Sequence, residues 1–460
     1  MTRAIVIGGS LAGMCTARVL GDFFDEVVML ERDLLPEGIA ARPGVPQSRH
    51  THVLLPRGER EMEKLFPGFV AAMLAGGAVR FDIGTDMAVR RTFGWQTLGA
   101  TAEVLWASRN LLEGTMRALF RQQTKVRVID GVQVLGLLGT PGQVRGVRLR
   151  SGTRERELPE LLAELVVDAS GRNTAIDAWL RELGVTPPQT ERVDAHAGYA
   201  SRFYRPPPRR PADWWWKGLW VEAEPGRPRG GVIFPIEDDC WLVTASGFNR
   251  AYPPTDEQGF LAHFASLSSP MASRVLSQAE PISPIHGFRS MANVFRRYER
   301  WTAGPAGFVA VGDAACAFNP VYGQGMAASA VCAAILGQVL RRSGPRARFE
   351  RAFFREQATF LAGPWALATA SDFRWPDTEG TRPNVPAAVG RYMKWAIEAA
   401  HHDGALRRRL FPAFDLTGTA TLLFQPRVVA KVLTSTAGRR LHRRFVGTTP
   451  IPESPPAPRR

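Results

Sequence analysis

The chain is poor in cysteine, lysine and tyrosine: its 460 residues include four Cys, five Lys and six Tyr. Cys15, Cys240, Cys316 and Cys332 are scattered without metal-type spacing, so neither a metal cluster nor a disulfide scaffold is expected, and all four read as reduced thiols of a cytoplasmic protein. No apolar run approaches the roughly 20 residues of a membrane span. Met1-Thr2-Arg3 leads straight into a strand pattern, without the charged, apolar and cleavage regions of a signal peptide. Membrane contact is therefore not expected. With so few lysines, the net charge of +15 is almost wholly arginine. These arginines are dispersed, and no nucleic-acid-binding module accompanies them, so nucleic acid is not an expected partner.

What is present is ordinary globular text, 45% apolar and 22% charged, long enough for two or three structural units. Residues 3–8 read as a buried parallel strand, 11–21 as a helix and Glu26–Glu31 as a second strand, which is a βαβ unit. Residues 57–65 and 110–124 read as helices, 126–150 as a small antiparallel hairpin and Leu165–Ser170 as another strand. Short strands with Pro-rich and Trp-rich text follow over 190–250 and predict an antiparallel sheet. Phe308–Val311 is a strand again, followed by an Ala-rich helix from Met326 to Leu340, and helices dominate 346–440.

Two constellations carry chemistry. The first is Gly8-Gly9-Ser10-Leu11-Ala12-Gly13 between strand and helix, with Glu31 closing the next strand. Such glycines permit a tight turn and close helix packing, the helix N-terminus suits a pyrophosphate, and the acid suits ribose hydroxyls. Alone the loop reads equally as a turn, and Ser10 replaces the usual middle glycine; strand, loop, helix, strand and acid together read as a dinucleotide site. The second is Gly312-Asp313-Ala314-Ala315, then Pro320, then Gly323-Gln324-Gly325-Met326. An Asp at a strand end can bind a ribityl hydroxyl, and a helix opening at Gly325 can face the N1/O2 edge of a reduced isoalloxazine. By itself this is also an ordinary strand–turn–helix. Paired with the first constellation it reads as the other half of a flavin site.

The glycine loop, Asp168-Ala169-Ser170-Gly171-Arg172 and Gly312-Asp313 occur in the order seen in single-component, class A, para-hydroxybenzoate-hydroxylase-like FAD-dependent monooxygenases, which the chain resembles over most of 1–345. Arg42-Pro43-Gly44-Val45-Pro46-Gln47-Ser48-Arg49-His50-Thr51-His52, Leu65-Phe66-Pro67-Gly68 and Phe318-Asn319-Pro320-Val321-Tyr322-Gly323-Gln324-Gly325-Met326 are similar to the narrower group of actinobacterial polyether and polyene epoxidases. The resemblance implies an α/β fold: a Rossmann-like FAD-binding domain with an inserted antiparallel-sheet substrate domain and a C-terminal helical region. Its expected bounds are 1–184 and 286–345 for the FAD-binding domain, 185–285 for the substrate sheet with 80–108 as a candidate addition, 346–446 for the helical region and 447–460 for a flexible Pro-rich tail. It implies non-covalent FAD held by Gly8, Ser10, Ala12, Gly13, Glu31, Arg32, Arg42, Arg109, Val134, Asp313, Gly325 and Met326, with Pro320 and Tyr322 beside the isoalloxazine. Arg109 reads either as a cofactor contact or as a solvated residue at a helix start, and Asp168-Ala169 departs from the family's usual Asp-Gly, which leaves the role of that segment open.

The implied reaction uses NADPH or NADH to reduce the flavin, O2 to form a C4a-hydroperoxyflavin, and an apolar polyketide-like substrate whose alkene is epoxidised. An alkene needs no deprotonation, whereas a phenol hydroxylase usually has a base, and no base is apparent. His50 and His52 have no nucleophile or carboxylate to pair with and read as structural. The competing readings are hydroxylation of an aromatic polyketide, flavin-dependent reduction of isoprenoid double bonds, and a non-redox flavin-binding cyclase. The halogenase signature Trp-x-Trp-x-Ile-Pro is absent: the text reads Trp214-Trp215-Trp216-Lys217-Gly218-Leu219, either core aromatics or an apolar pocket wall. The basic stretch Gln425–Phe445 reads as a surface helix or as a docking face for an acidic carrier protein.

Overall fold

The structure is a computed structural model that describes residues 2–151, 157–211, 213–289, 291–345, 348–445 and 452–456. Its centre is a five-stranded, all-parallel sheet in the order Phe308–Ala310, Leu165–Asp168, Arg3–Ile7, Glu26–Leu30, Arg127–Ile129. These strands are largely apolar because both faces are covered, one by helices and the other by a three-stranded antiparallel sheet, which leaves no alternation to read. Ile5, Val28, Val166 and Val309 are fully buried. Helices Leu11–Leu20 and Gly325–Ser343 pack on one another, and the Ala-rich face of the second permits the close approach. A three-stranded sheet of Val132–Thr140, Gln143–Ser151 and Glu157–Leu162 flanks the unit. The expected mixed α/β architecture is thus present.

The second large element is an eight-stranded sheet, which holds Gly198–Arg205, Cys240–Gly247, Arg229–Ile236 and Gly218–Val221 as antiparallel neighbours. Met87–Arg91 adds to Gly218–Val221 in parallel, and Gly94–Trp95 pairs with it at the edge. Part of the 80–108 stretch therefore lies in this sheet, while Val79–Asp82 and Glu103–Trp106 form a separate ribbon. Thr190–Asp194, inside the expected substrate unit, pairs instead with Asn293–Arg296 in a four-stranded sheet with Cys316–Ala317 and Glu379–Gly380.

The eight-stranded sheet has two unlike faces. One is covered by helices Glu257–Ala265 and Met271–Leu276 and buries Tyr204, Trp241, Phe260 and Phe264. Trp214 and Trp216 belong to this outer core, 6.4 and 6.3 Å from Trp241 between ring centroids, so the Trp triplet is packing rather than a pocket wall. The other face carries Phe203, Trp220, Phe234 and Leu242, which cluster with Phe81, Val104 and Trp106 of the ribbon.

Helices Glu350–Asp372, Ala387–His402, Gly404–Phe414 and Pro426–Phe445 follow. Arg407 of the third donates to the carbonyls of Thr97 and Gly99, which ties this region over the loop beside the edge strand. The tail expected to be flexible touches the outer side of the sheet: Trp95 Nε1 donates to the Pro452 carbonyl at 2.8 Å, and Ser269 Oγ to that of Glu453 at 2.9 Å. Among the described residues no helix is long and apolar enough to cross a membrane.

Gly13 permits a very close backbone approach. A Cβ there would lie 1.8 Å from the Gly8 carbonyl oxygen, whereas one at Gly363 meets nothing within 4 Å. Gly13→Ala is therefore expected to lower stability by at least about 2 kcal/mol, since the obstruction is backbone. Gly363→Ala, in a helix interior, is expected to raise it by up to about 1 kcal/mol. Urea midpoints of the two variants give the comparison, and shifts of the same sign would overturn it.

Candidate functional site

The glycine loop turns from the strand Arg3–Ile7 into the helix Leu11–Leu20. Ser10 is that helix's N-cap, yet its side chain makes no capping bond. Its Oγ instead accepts from Arg109 Nη2 at 3.0 Å. The helix start thus keeps unsatisfied backbone donors, and a guanidinium stands beside them.

Arg109 opens a chain of buried charges. Its Nε is 3.3 Å from Glu113 Oε2, one helical turn on. Glu113 Oε1 accepts from Arg42 Nη2 at 2.6 Å and Nε at 3.0 Å. Arg42 Nη1 also lies 2.9 Å from Asp33 Oδ2 and 3.1 Å from Glu31 Oε2. Glu31 Oε2 accepts in turn from the Gly9 N–H at 2.7 Å, and its Oε1 from the Asp33 N–H at 3.0 Å. The Arg42 side chain is 4% exposed. Burial disfavours the Glu113 carboxylate, but Arg109 and Arg42 outweigh it and hold its pKa below the ordinary value. Three carboxylates and two guanidiniums thus link the loop, the second strand, the 42–44 turn and the helix Arg109–Gln123.

The second constellation meets the first through Gly312. Its φ is +60°, and a Cβ there would stand 2.7 Å from Ala12 Cβ, so only glycine brings the two loops this close. Asp313 follows, with Oδ1 placed 3.4 Å from where a Cβ on Gly325 would be, against the N-terminus of the helix Gly325–Ser343. Among the described residues no group hydrogen-bonds the Asp313 carboxylate. Burial raises its pKa, and Arg172 and then Arg109 oppose that. Arg172 is held in place by donating to the carbonyls of Ala292 at 2.6 Å and Phe318 at 2.5 Å. Asp168, by contrast, caps its own turn by accepting from Ser170 and Thr174.

Between Asp313 and the helix runs the turn Asn319–Gly323. The Tyr322 hydroxyl donates to Asp372 Oδ1 at 2.6 Å, and the amides of Asn319 and Asn293 donate to the same carboxylate at 3.1 and 2.6 Å. Tyr322 therefore packs towards the helix Glu350–Asp372, while its neighbour Val321 packs with Tyr199, Met291 and Trp375. Asp372 is fully buried, which raises its pKa to about 7 despite three donors.

The histidine segment bridges the two units. His50 Nδ1 is 2.8 Å from Ser201 Oγ, which is 2.7 Å from Thr244 Oγ1, itself 2.7 Å from Thr51 Oγ1. His52 Nε2 donates to the Gln47 carbonyl at 2.7 Å. Burial lowers the pKa of His50 to about 4, with His286 and Arg49 adding to the effect, and that of His52 to about 3, with Arg109 adding to it. Both are neutral at pH 7.

Of the residues singled out in the sequence, Gly8, Ser10, Ala12, Gly13, Glu31, Arg42 and Arg109 gather around one loop, and Asp313 and Gly325 join them through the Gly312–Ala12 contact. Met326 is buried in the first turn of its helix. Val134 is buried on a strand that starts where the Val132 N–H bonds the Glu31 carbonyl at 3.0 Å. Pro320 is half-buried at the head of its turn, and Arg32 is exposed. Reasoning from sequence missed Asp33, Glu113 and Asp372, and named Arg172 only within a segment whose role stayed open. Only Glu113 carried a signal, its spacing of four residues from Arg109 on a helix.

The chain is 34% identical over 436 residues to protein Rv3254 of Mycobacterium tuberculosis, which covers 90% of this chain and 89% of that protein. No family model matches it. Among solved structures, the flavin-dependent brominase Bmp2 matches with a TM-score of 0.69 at 14% identity, over 96% of this chain and 100% of that one. The p-nitrophenol 4-monooxygenase PnpA of Pseudomonas putida matches with a TM-score of 0.63 at 14% identity, over 90% and 99%. At these identities the likeness is one of fold.

Asp372 makes the site pH-dependent. Between its ordinary value of 3.8 and about 7 the folded chain retains a proton that the unfolded chain has lost. Its contribution to stability is therefore present below pH 3.8 and is lost as pH rises through 7. The difference between the two limits is on the order of 4 kcal/mol. Asp372→Asn is expected to remove that part of the slope. Denaturation midpoints of the two proteins from pH 4 to 8 measure it, and parallel profiles would exclude the role.

Proposed function

The chain belongs to the family of protein Rv3254, a name that carries no chemistry, and from its site we propose that it is an FAD-dependent monooxygenase. The observation that carries the flavin reading is the Asp313 carboxylate, half-buried without a protein partner among the described residues at the N-terminus of one helix and drawn by Gly312 against the loop that opens another. A half-buried carboxylate with no protein donor keeps its acceptor oxygens available to a ligand's hydroxyls. The surroundings fit FAD. Asp313 would hold ribityl hydroxyls, and Glu31 the adenosine ribose. The start of the helix Leu11–Leu20, with Arg109, would hold the pyrophosphate. The positive end of the helix Gly325–Ser343 favours negative charge beside it. When bound, the flavin supplies electron transfer from NADH or NADPH and oxygen transfer from O2.

The residues around that space support oxygen transfer to an apolar alkene of a polyketide-like molecule. The sheet face on which Ser201 and Thr244 meet the histidine segment is otherwise aromatic and aliphatic, with Phe203, Trp220 and Leu242, and such a wall excludes water. His50 and His52 are neutral and tied to protein acceptors or hydroxyls, and Asp372 is sealed behind Tyr322, so none is poised to deprotonate a phenol. The motifs at 42–52 and 318–326 point the same way. Likeness to a brominase is likeness of fold, which does not fix a reaction, and the Trp-x-Trp-x-Ile-Pro text is absent.

The purified protein is expected to be yellow, and acid precipitation to release the flavin into the supernatant; colour retained in the pellet contradicts non-covalent binding. Asp313→Ala is expected to weaken FAD binding more than tenfold, the loss of a charge-assisted hydrogen bond of about 1.5–3 kcal/mol. Unchanged affinity in a flavin titration of the apoprotein would remove Asp313 from the site. With NADPH, labelled dioxygen and a polyene, one labelled oxygen is expected in an epoxide or its diol. Label on an aromatic ring marks a hydroxylase, and two added hydrogens without label mark a reductase.

A further inference from the structure

Two polar atoms on the wall between the sheet and the Asn319–Gly323 turn remain unaccounted for. Tyr199 lies on the strand Gly198–Arg205, two residues before Ser201 and so on the same face. Its ring packs among Met291, Phe248 and Trp375 and meets Val321 of the turn. It is 9% exposed, yet among the described residues its hydroxyl has no hydrogen-bond partner, nor is it sealed from solvent. The ring of His50 stands 6.1 Å from that of Tyr199 and 5.6 Å from that of Phe288. His50 Nε2 likewise has no protein partner among the described residues and is not sealed.

The hydroxyl chain behind His50 determines what Nε2 offers. If Thr51 donates to Thr244, Thr244 to Ser201 and Ser201 to Nδ1, every hydroxyl proton in the chain is used. The reverse order leaves the Thr51 proton without a protein acceptor. The first order makes Nδ1 the acceptor and leaves Nε2–H as a donor. The Tyr199 hydroxyl stays protonated, since burial and then Asp372 push its pKa well up against the pull of Arg172. The wall is therefore apolar with two neighbouring N–H and O–H donors, and the Tyr199 hydroxyl oxygen is its one acceptor.

We infer that Tyr199 and His50 form a polar register for the substrate, and that the substrate is a largely apolar molecule carrying one acceptor oxygen, a carbonyl, which these two donors hold. This rests on the monooxygenase reading, for which the register orients the carbon to be oxidised. Both residues are positioning residues, and a site with two donors discriminates strongly against a ligand that lacks the oxygen, because both donors are then left unpaired.

The test uses the full-length protein as purified and a matched pair of probes, 2-acetylnaphthalene and 2-isopropenylnaphthalene, which differ by a carbonyl oxygen against a methylene. Calorimetric titration is expected to show tighter binding of the ketone by about tenfold. Tyr199→Phe and His50→Gln are each expected to cut that preference to about threefold or less, with the affinity for the alkene and the FAD content unchanged. Equal binding of the two probes by the wild type, absence of binding by either, or a preference that survives in Tyr199→Phe overturns the register. A melting temperature within a few degrees of wild type distinguishes lost recognition from lost folding, and the isosteric Tyr199→Phe carries the conclusion if His50→Gln fails to fold. A colourless protein that still prefers the ketone would instead sink the flavin reading and leave the register standing.

Discussion

Much of the structure hangs on a single guanidinium. Arg42 is nearly inaccessible to water and is within hydrogen-bond or ion-pair distance of Asp33, Glu31 and Glu113. Removing one partner from such a cluster costs about 3–5 kcal/mol, because the charges left behind stay buried. The geometry therefore tolerates little adjustment: strand end, turn and helix must each deliver a carboxylate to one point. Arg109 extends the constraint to Ser10 and so to the mouth of the first helix. A cluster this costly to assemble suits a surface that must stay ordered while an anionic ligand comes and goes.

The second constraint is steric. Contact between Gly312 and Ala12 allows the carboxylate of Asp313 to approach the first loop, although three hundred residues of chain separate them. The sheet domain and the histidine segment then close over the same place, through hydroxyls and imidazole rather than charge. The glycine-loop side of the site is thus fixed by ion pairs and the sheet side by neutral hydrogen bonds. That division fits a polar cofactor facing an apolar guest.

Local order carried most of what was readable in advance. The strand–loop–helix at the N-terminus, the acid closing the second strand and the Gly312-Asp313 turn each declare themselves within a dozen residues, and each occupies the expected place. The rest depends on partners that sequence distance hides. Asp372 meets Asn293 and Asn319 across 79 and 53 residues, and Arg172 reaches Phe318 across 146. Nothing near Asp372 in the chain marks it as more than a helix end. The Trp triplet is ambiguous for a related reason: a strand has two faces, and composition does not tell which one turns outward.

One pairing bears on how such a molecule is divided. Met87–Arg91 lies beside Gly218–Val221 in parallel, so the eight-stranded sheet is stitched from two stretches of chain more than a hundred residues apart. Excising the later stretch as an independent fragment would uncover the backbone of Gly218–Val221 along a whole strand, an open edge that recruits other chains. The sheet is consequently no removable cassette. Any recombination event or engineered chimera that exchanges substrate preference between relatives has to carry both stretches together, or move individual side chains on the inward face and leave the strands where they are.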